Sequence, residues 1–209
     1  GTECWGSMAT TLEVQDLAGQ VLVSDDDSGI NGCSAITCQL NAGTYRIHVR
    51  EFSNSLLIPA YRLKITRLAP GGTESEPNNQ LASANLIVGS QVFIRGNHAA
   101  AFDDEWFRLT LYETRSLRIE LIEGDTAKSC DDSTIDSLLE VYSSTGVMLN
   151  RDDDSGRGYC SLMDGTGASP LMPELHNMSP GIYYIRVSAS PTTDVEGSVF
   201  AYRLTVDQR

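Results

Sequence analysis

Trp106-Phe107-Arg108-Leu109-Thr110-Leu111 and Leu117-Arg118-Ile119-Glu120-Leu121 decide the fold class. In the first stretch Phe107, Leu109 and Leu111 fall on one side. In the second the odd positions are apolar and the even ones charged. A period of two marks a strand with one dry and one wet face. The same pattern predicts strands over residues 11–15, 20–23, 43–51, 60–66, 91–96, 105–111, 116–122, 137–142, 147–150, 182–188 and 199–206. Gly, Asp, Asn, Ser and Pro fill the gaps, as turn chemistry requires. Helical turns are expected only near residues 80–85 and 173–176. Many short strands between Gly-rich turns predict an all-β chain built as a β-sandwich or jelly roll.

The chain also repeats itself. Leu12-Glu13-Val14 through Asp25-Asp26-Asp27-Ser28-Gly29 returns 127 positions later, without a gap, as Leu139-Glu140-Val141 through Asp152-Asp153-Asp154-Ser155-Gly156. Gly43-Thr44-Tyr45-Arg46-Ile47-His48-Val49 matches Gly181-Ile182-Tyr183-Tyr184-Ile185-Arg186-Val187, and Ala60-Tyr61-Arg62-Leu63-Lys64-Ile65 matches Ala201-Tyr202-Arg203-Leu204-Thr205-Val206. The copies are unequal, because the second has a front half, from Glu74 to about Lys128, that the first lacks. The expected organisation is therefore tandem jelly-roll units. Residues 1–69 form an incomplete sandwich, 70–73 (Pro-Gly-Gly-Thr) a linker, and 74–209 a complete sandwich. The front half of the first unit is expected from a longer protein or from another chain, since half a sandwich leaves sheet edges bare.

Five cysteines, none in a CxxC pair, argue against a zinc ribbon and for disulfides in an oxidising compartment. Five reduced thiols in a cytosolic protein are the alternative. The repeat pairs Cys4 with Cys33 and Cys130 with Cys160, and leaves Cys38 as the odd thiol, with Cys33–Cys38 as a competing pair.

The 209 residues include 28 acidic and 15 basic side chains, a formal net charge of −13. That balance disfavours nucleic acid and anionic membrane surfaces as partners. No run of apolar residues is long enough to span a bilayer, and residues 1–11 lack the basic start and apolar core of a signal peptide.

Two acidic constellations stand out. Glu74-Ser75-Glu76-Pro77-Asn78-Asn79 is rich in oxygen donors, and Asp103-Asp104-Glu105 stands just before a strand. Brought together, they offer the carboxylate and amide oxygens that Ca²⁺ requires. A solvated acidic linker and turn is the plainer alternative. The repeated acidic turn at residues 25–29 and 152–156 resembles the opening of a calcium loop but lacks the closing glutamate, which favours a hairpin role. Tyr45, Tyr61, Tyr183, Tyr184 and Tyr202 lie on predicted strands, where they would form a binding face or pack the sheets.

Catalytic signatures are decoys. Gly6-Ser7-Met8-Ala9-Thr10 resembles the serine segment of subtilisin-like proteases, without the preceding Asp and His segments. Asp154-Ser155-Gly156 has its own repeat at Asp27-Ser28-Gly29, and His48, His98 and His176 fall in no paired motif.

In combined order, E-x-E-P-N-N at residues 74–79, D-D-E-W-F-R-L at 103–109, L-L-E-V-Y at 138–142, the acidic turn, P-G-I-Y-Y-I-R-V at 180–187 and A-Y-R-L-T-V at 201–206 resemble the bacterial pre-peptidase C-terminal domain. The collagen-binding domains of clostridial collagenases belong to that family. The resemblance spans residues 74–209; the first copy matches only the back half, over residues 10–66. It implies a jelly-roll sandwich, a non-catalytic role beside secreted proteases or other exported hydrolases, and a secreted or cell-surface location. It also implies a structural Ca²⁺ held by Glu74, Glu76, Asn78, Asn79, Asp103, Asp104 and Glu105. Glu105 stands where the family usually has Asp. The expected partners are an extracellular protein or polysaccharide, or neighbouring copies of the same protein. The alternative function is a structural repeat of an adhesin or extracellular fibre.

Overall fold

The computed structural model describes residues 9–27, 29, 32–100, 102–123, 136–156, 159–190 and 199–209. The chain divides into two compact units, Gly1–Thr66 and Arg67–Arg209. Cys4, Cys130 and the Gly6-Ser7-Met8 stretch lie outside the described residues.

In the first unit, β1 (Thr10–Gln15), β2 (Val21–Asp25) and β3 (Arg46–Glu51) form one antiparallel sheet in the order β2-β1-β3. Val14 is its only buried large apolar residue among those described. Residues 60–66, expected as a strand, are not one. Their alternation is right, but a strand requires a neighbour for its ladder, and β3 is the edge of the only sheet described here.

The second unit contains β4 (Ala69–Thr73), β5 (Asn85–Leu86), β6 (Gln91–His98), β7 (Glu105–Leu111), β8 (Leu117–Glu123), β9 (Ser137–Ser143), β10 (Met148–Asp152), β11 (Leu162–Asp164), β12 (Gly181–Ala189) and β13 (Phe200–Gln208). Two five-stranded sheets, β10-β9-β12-β7-β5 and β11-β8-β13-β6-β4, make an all-β sandwich. With β4 and β5 set aside, β6 through β13 run in the orders 6-13-8-11 and 7-12-9-10. β6 and β13, the first and last of this set, adjoin, and the path crosses between the sheets at every step except the β9–β10 hairpin, which is the jelly-roll wrapping. Phe107, Leu109, Leu139, Val141, Ile185 and Val187 from one sheet meet Ile119, Leu121, Leu204 and Val206 from the other in a continuous core. Short 3-10 turns occupy Leu81–Ser83 and Pro173–Leu175, near the expected positions.

The Pro-Gly-Gly stretch expected as a linker is instead the edge strand β4, parallel to β6. Pro70 is tolerated because an edge strand has one row of groups outside the ladder. Gly71 lies so close to β6 that a Cβ would stand 3.1 Å from Ile94 Cγ1 and from the Phe93 carbonyl oxygen. These residues, which look like linker chemistry in sequence, serve close backbone approach. β5 and β11, two and three residues long, are too short for periodicity to reveal. No helix among the described residues is long and apolar enough to cross a membrane, which leaves β-barrels untouched.

The two acidic turns are built alike. Leu12 pairs with Asp25 and Leu139 with Asp152, and both hairpins slip register at the same point, Gln15 against Val21 and Tyr142 against Met148. Asp25 Oδ2 accepts the Ala35 N–H at 2.7 Å, and Asp152 Oδ2 accepts the Leu162 N–H at 2.8 Å. Ser34 Oγ donates to the Thr10 carbonyl at 2.8 Å, and Ser161 Oγ to the Ser137 carbonyl at 2.7 Å. The first aspartate of each turn therefore ties the returning chain to the hairpin.

Candidate metal centre

Strand parity creates this site. Glu105 opens β7 on the same face as Phe107, Leu109 and Leu111, so alternation carries its carboxylate into the sandwich, where it is fully buried. Neither oxygen has a hydrogen-bond partner among the described residues. Burial first, then the charges of Glu74, Asp103 and Glu76, push its pKa up to about 10.

β4 delivers Glu74. The Glu74 N–H donates to the Arg95 carbonyl at 2.9 Å, continuing the parallel pairing. Its carboxylate then accepts the Asn97 N–H and the Tyr202 hydroxyl. Gly96 is required beneath this contact, because a Cβ there would run into the Tyr202 ring and the Glu74 carboxylate. Burial raises the Glu74 pKa, while the bonds from Tyr202 and Asn97 oppose the rise.

The segment after Glu74 is pinned at both ends. Asn85 accepts the Ser75 N–H at 2.6 Å through Oδ1 and donates to the Ser75 carbonyl at 2.9 Å through Nδ2. The Trp106 N–H donates to the Asn78 carbonyl at 3.1 Å. Between these anchors Glu76 Oε2 accepts the Asn78 N–H at 3.0 Å. Asn78 is completely buried, and neither its Oδ1 nor its Nδ2 has a partner among the described residues. One carboxylate oxygen each from Glu74, Glu76 and Glu105 lies within 4.8 Å of the others.

That arrangement fits a hard cation. Oxygens bound to one Ca²⁺ at about 2.4 Å are at most about 4.8 Å apart. Three convergent carboxylates would repel one another, and a buried carboxylate without a donor costs several kcal/mol unless protonated or matched by positive charge. Asn78, whose N–H is bonded to Glu76, carries a buried, unsatisfied carboxamide with a neutral oxygen. The donor set is all oxygen, which suits Ca²⁺ better than zinc.

The remaining expected ligands lie outside this trio and have partners of their own. Asp103 Oδ1 accepts a bond from exposed Asn79 at 2.7 Å, and its Oδ2 accepts the Ala99 N–H at 2.9 Å. Asp104 is drawn to Arg186 at 2.6 Å, and Arg186 also holds Glu140 at 2.6 Å. Tyr142 donates to Glu140 at 2.8 Å and packs against Trp106, with ring centroids 5.0 Å apart. Asp104 is thus committed to an ion-pair network.

Tyr202, expected at a binding surface, is 1% exposed, belongs to the core and donates to Glu74 of the acidic trio. Its parity with Leu204 and Val206 on β13 is the signal that points it inward. Tyr183 and Tyr184 are half-buried, and the Tyr183 hydroxyl donates to the Ser179 carbonyl at 2.9 Å. Asn85, Gly96 and Arg186 have no role in the sequence expectations. Their parts depend on contacts between strands, and no local pattern marks them.

A second acidic group gathers Asp136, Asp153 and Asp154, again with oxygens within 4.8 Å of one another. Burial, then Asp153 and Asp152, raise the Asp154 pKa. Asp152 is kept out of this group by its bonds from the Ser155 and Leu162 N–H groups. The Ser116 hydroxyl lies 3.2 Å from His176 Nδ1, but that nitrogen also stands 2.7 Å from the Gly165 carbonyl oxygen and Ser116 accepts the Asn177 N–H. That is loop tethering, and no third group among the described residues makes it a triad.

No protein-family model and no curated protein matches the chain. Among solved structures it is similar to the pre-peptidase C-terminal domain of collagenase from Bacillus anthracis, at 13% identity and a TM-score of 0.42, covering 64% of this chain and 100% of that one. It is also similar to Aeromonas hydrophila PliG, a periplasmic lysozyme inhibitor of g-type lysozyme, at 12% identity and a TM-score of 0.40, covering 60% and 96%.

Proposed function

We propose that the second unit is a calcium-stabilised, non-catalytic β-sandwich module of a secreted protein, acting as a binding or accessory module beside an exported hydrolase. The observation that carries this reading is the buried Glu105 carboxylate, without a donor, within 4.8 Å of Glu74 and Glu76. Glu74, Glu76, Glu105 and the Asn78 carboxamide would hold the ion, with Asp103 adding charge beside it. Bound Ca²⁺ would supply the positive charge that this pocket lacks. The chain's own contribution is positional: β4, Asn85 and the Trp106 N–H hold the acidic segment over β7, so occupancy would staple the stretch after Thr73 onto the sandwich.

An extracellular setting also accounts for the cysteines. Cys33 and Cys160 occupy matching places after the acidic turns, each accepting an N–H through its carbonyl, from Gly29 at 2.6 Å and Gly156 at 2.9 Å. Bridges Cys4–Cys33 and Cys130–Cys160 are proposed from that equivalence and are checked by mass spectrometry of unreduced peptides.

The decisive experiment is thermal melting of the intact chain during Ca²⁺ titration and with chelator, repeated on Glu105→Gln and on Glu76→Ala/Asp103→Ala. The intact chain should gain about 2.7 kcal/mol at a hundredfold excess over Kd. The variants should lose that gain. An unchanged melting temperature in the intact chain refutes the metal reading. Retention on insoluble protein or polysaccharide supports the accessory role; concentration-dependent assembly without such retention supports the fibre or adhesin role.

A further inference from the structure

Strand parity defines the outer face of the β10-β9-β12-β7-β5 sheet. Phe107, Leu109, Val141 and Ile185 turn into the core, so Trp106, Arg108, Tyr142 and Tyr184 turn away from it. One row of paired positions crosses all five strands: Leu86, Arg108, Tyr184, Tyr142 and Met148. The next row sets Trp106, Arg186, Glu140 and Arg151 side by side, and on the other flank Ile182 stands opposite Thr110. Leu86, Met148 and Ile182 are exposed, and the three aromatic residues are half-buried.

The repeat separates what the strands require from what this face adds. In the first unit the same register puts Val21, Gln15 and Arg46 where the second has Met148, Tyr142 and Tyr184. The inward positions keep their character, Val14 for Val141 and Ile47 for Ile185. Three paired strands of this kind therefore form without aromatic groups on their outer face.

The charge of the face also departs from that of the chain. Glu140 is buried and, with Asp104, engages Arg186. Arg108 and Arg151 are exposed, and neither guanidinium has an ion pair or hydrogen bond among the described residues. On a chain of net charge −13 this is a locally cationic, aromatic surface. Screening at physiological salt limits each charge to about 8 Å, so distant carboxylates do not cancel it.

The composition points to protein rather than sugar. Exposed Trp, Tyr, Met and Arg together mark protein interfaces. Trp106 and Tyr142 meet at 44°, so their rings do not offer one plane for stacking a sugar. Leu86, Met148 and Ile182 have nothing to give hydroxyl groups. A strand spacing of about 4.8 Å puts Arg108 and Arg151, three strands and one row apart, about 16 Å from each other, with Tyr184 and Tyr142 between them. Residues eleven apart on a helix lie on one face at about 16 Å.

We propose that this face docks an acidic amphipathic helix of a partner protein. Two carboxylates three turns apart meet Arg108 and Arg151, and the apolar stripe between them packs on Tyr184 and Tyr142. A second copy meeting this face with its own would set arginine against arginine. The proposal rests on the binding-module reading, whose partner it specifies, and is independent of the cation site.

The test titrates the intact chain with two synthetic helical peptides and follows backbone amide NMR shifts. The peptides share a leucine stripe and differ at two positions eleven apart, both Glu in one and both Lys in the other. The Glu peptide should shift signals across residues 106–110, 140–142 and 182–186, and bind on the order of tenfold more tightly than the Lys peptide. Arg108→Glu/Arg151→Glu should reverse that preference with an unchanged melting temperature. Tyr184→Ala should weaken both peptides. Equal binding of the two peptides, a preference that survives the charge reversal, or shifts confined to other residues overturns the proposal. So do two further outcomes: polygalacturonate shifting these signals where the Glu peptide does not, which assigns the face to an acidic polysaccharide, and shifts that appear on concentrating the protein alone, which assign it to a second copy. Retention on insoluble protein that Arg108→Glu/Arg151→Glu leaves intact overturns this surface while the accessory-module reading stands.

Discussion

Tyr202 donates its phenolic hydrogen to Glu74 across a separation of 128 residues, joining the last strand of the sandwich to the acidic segment after β4. This bond places a core residue and a candidate metal ligand in one structure. Burial and the neighbouring carboxylates of Glu74, Glu105 and Glu76 hold the phenol well above the usual tyrosine range, so it remains a donor at any physiological pH.

Tyr202→Phe removes that donor while leaving the ring in the core. A hydrogen bond to a charged group contributes about 1.5–3 kcal/mol. Chemical denaturation in chelator should show a loss in that range, and the Ca²⁺-induced rise in melting temperature should shrink because Glu74 is less well held. Unchanged values for both would mean that β4 and the Asn97 N–H position Glu74 without Tyr202.

The chelated protein should lose stability as pH rises. In the folded protein the Glu105 pKa is pushed up to about 10, against an ordinary glutamate value of 4.5. Between those values the folded state holds a proton that the unfolded state has released, so unfolding free energy falls with increasing pH. Melting curves from pH 5 to pH 9 in chelator should descend, Glu105→Gln should flatten the descent, and saturating Ca²⁺ should oppose it. A flat profile in the chelated intact chain would contradict the burial of an ionisable Glu105.

Gly96→Ala places a methyl group against the Tyr202 ring and the Glu74 carboxylate. Overpacking of this kind costs about 1–3 kcal/mol. The variant should melt earlier and bind Ca²⁺ more weakly, whereas Gly72→Ala, at a φ of 101° with open space around it, should lower stability without the crowding at Glu74. Equal Ca²⁺ affinity in the two variants would count against crowding at position 96.

Arg186→Met leaves Asp104 and the buried Glu140 without their shared cation. Breaking such a pair from one side costs on the order of 3 kcal/mol. A double-mutant cycle with Glu140→Gln should recover part of the loss, since it removes the stranded charge. Full additivity would show that the two side chains do not interact in solution.

The acidic centre was partly legible. Glu74, Glu76 and Glu105 were visible as oxygen donors, because charge and residue type are local properties. Their convergence depends on β4 running parallel to β6, a pairing hidden behind a Pro-Gly-Gly stretch that looks like a linker. Asp104 looked equivalent to its neighbours, and only the approach of Arg186 from β12 separates it from them.

Alternation of side chains follows from the two-residue period of an extended backbone, so the sequence alone determined that the chain is β-rich and where most strands run. It also determined which stretches repeat. Tertiary structure decided what the repeated stretches become. Ala60-Tyr61-Arg62-Leu63-Lys64-Ile65 and Ala201-Tyr202-Arg203-Leu204-Thr205-Val206 share one pattern, yet the second is the central strand β13 and the first is no strand at all. A strand's N–H and C=O groups are satisfied by its neighbours, and neighbours are a property of the whole fold.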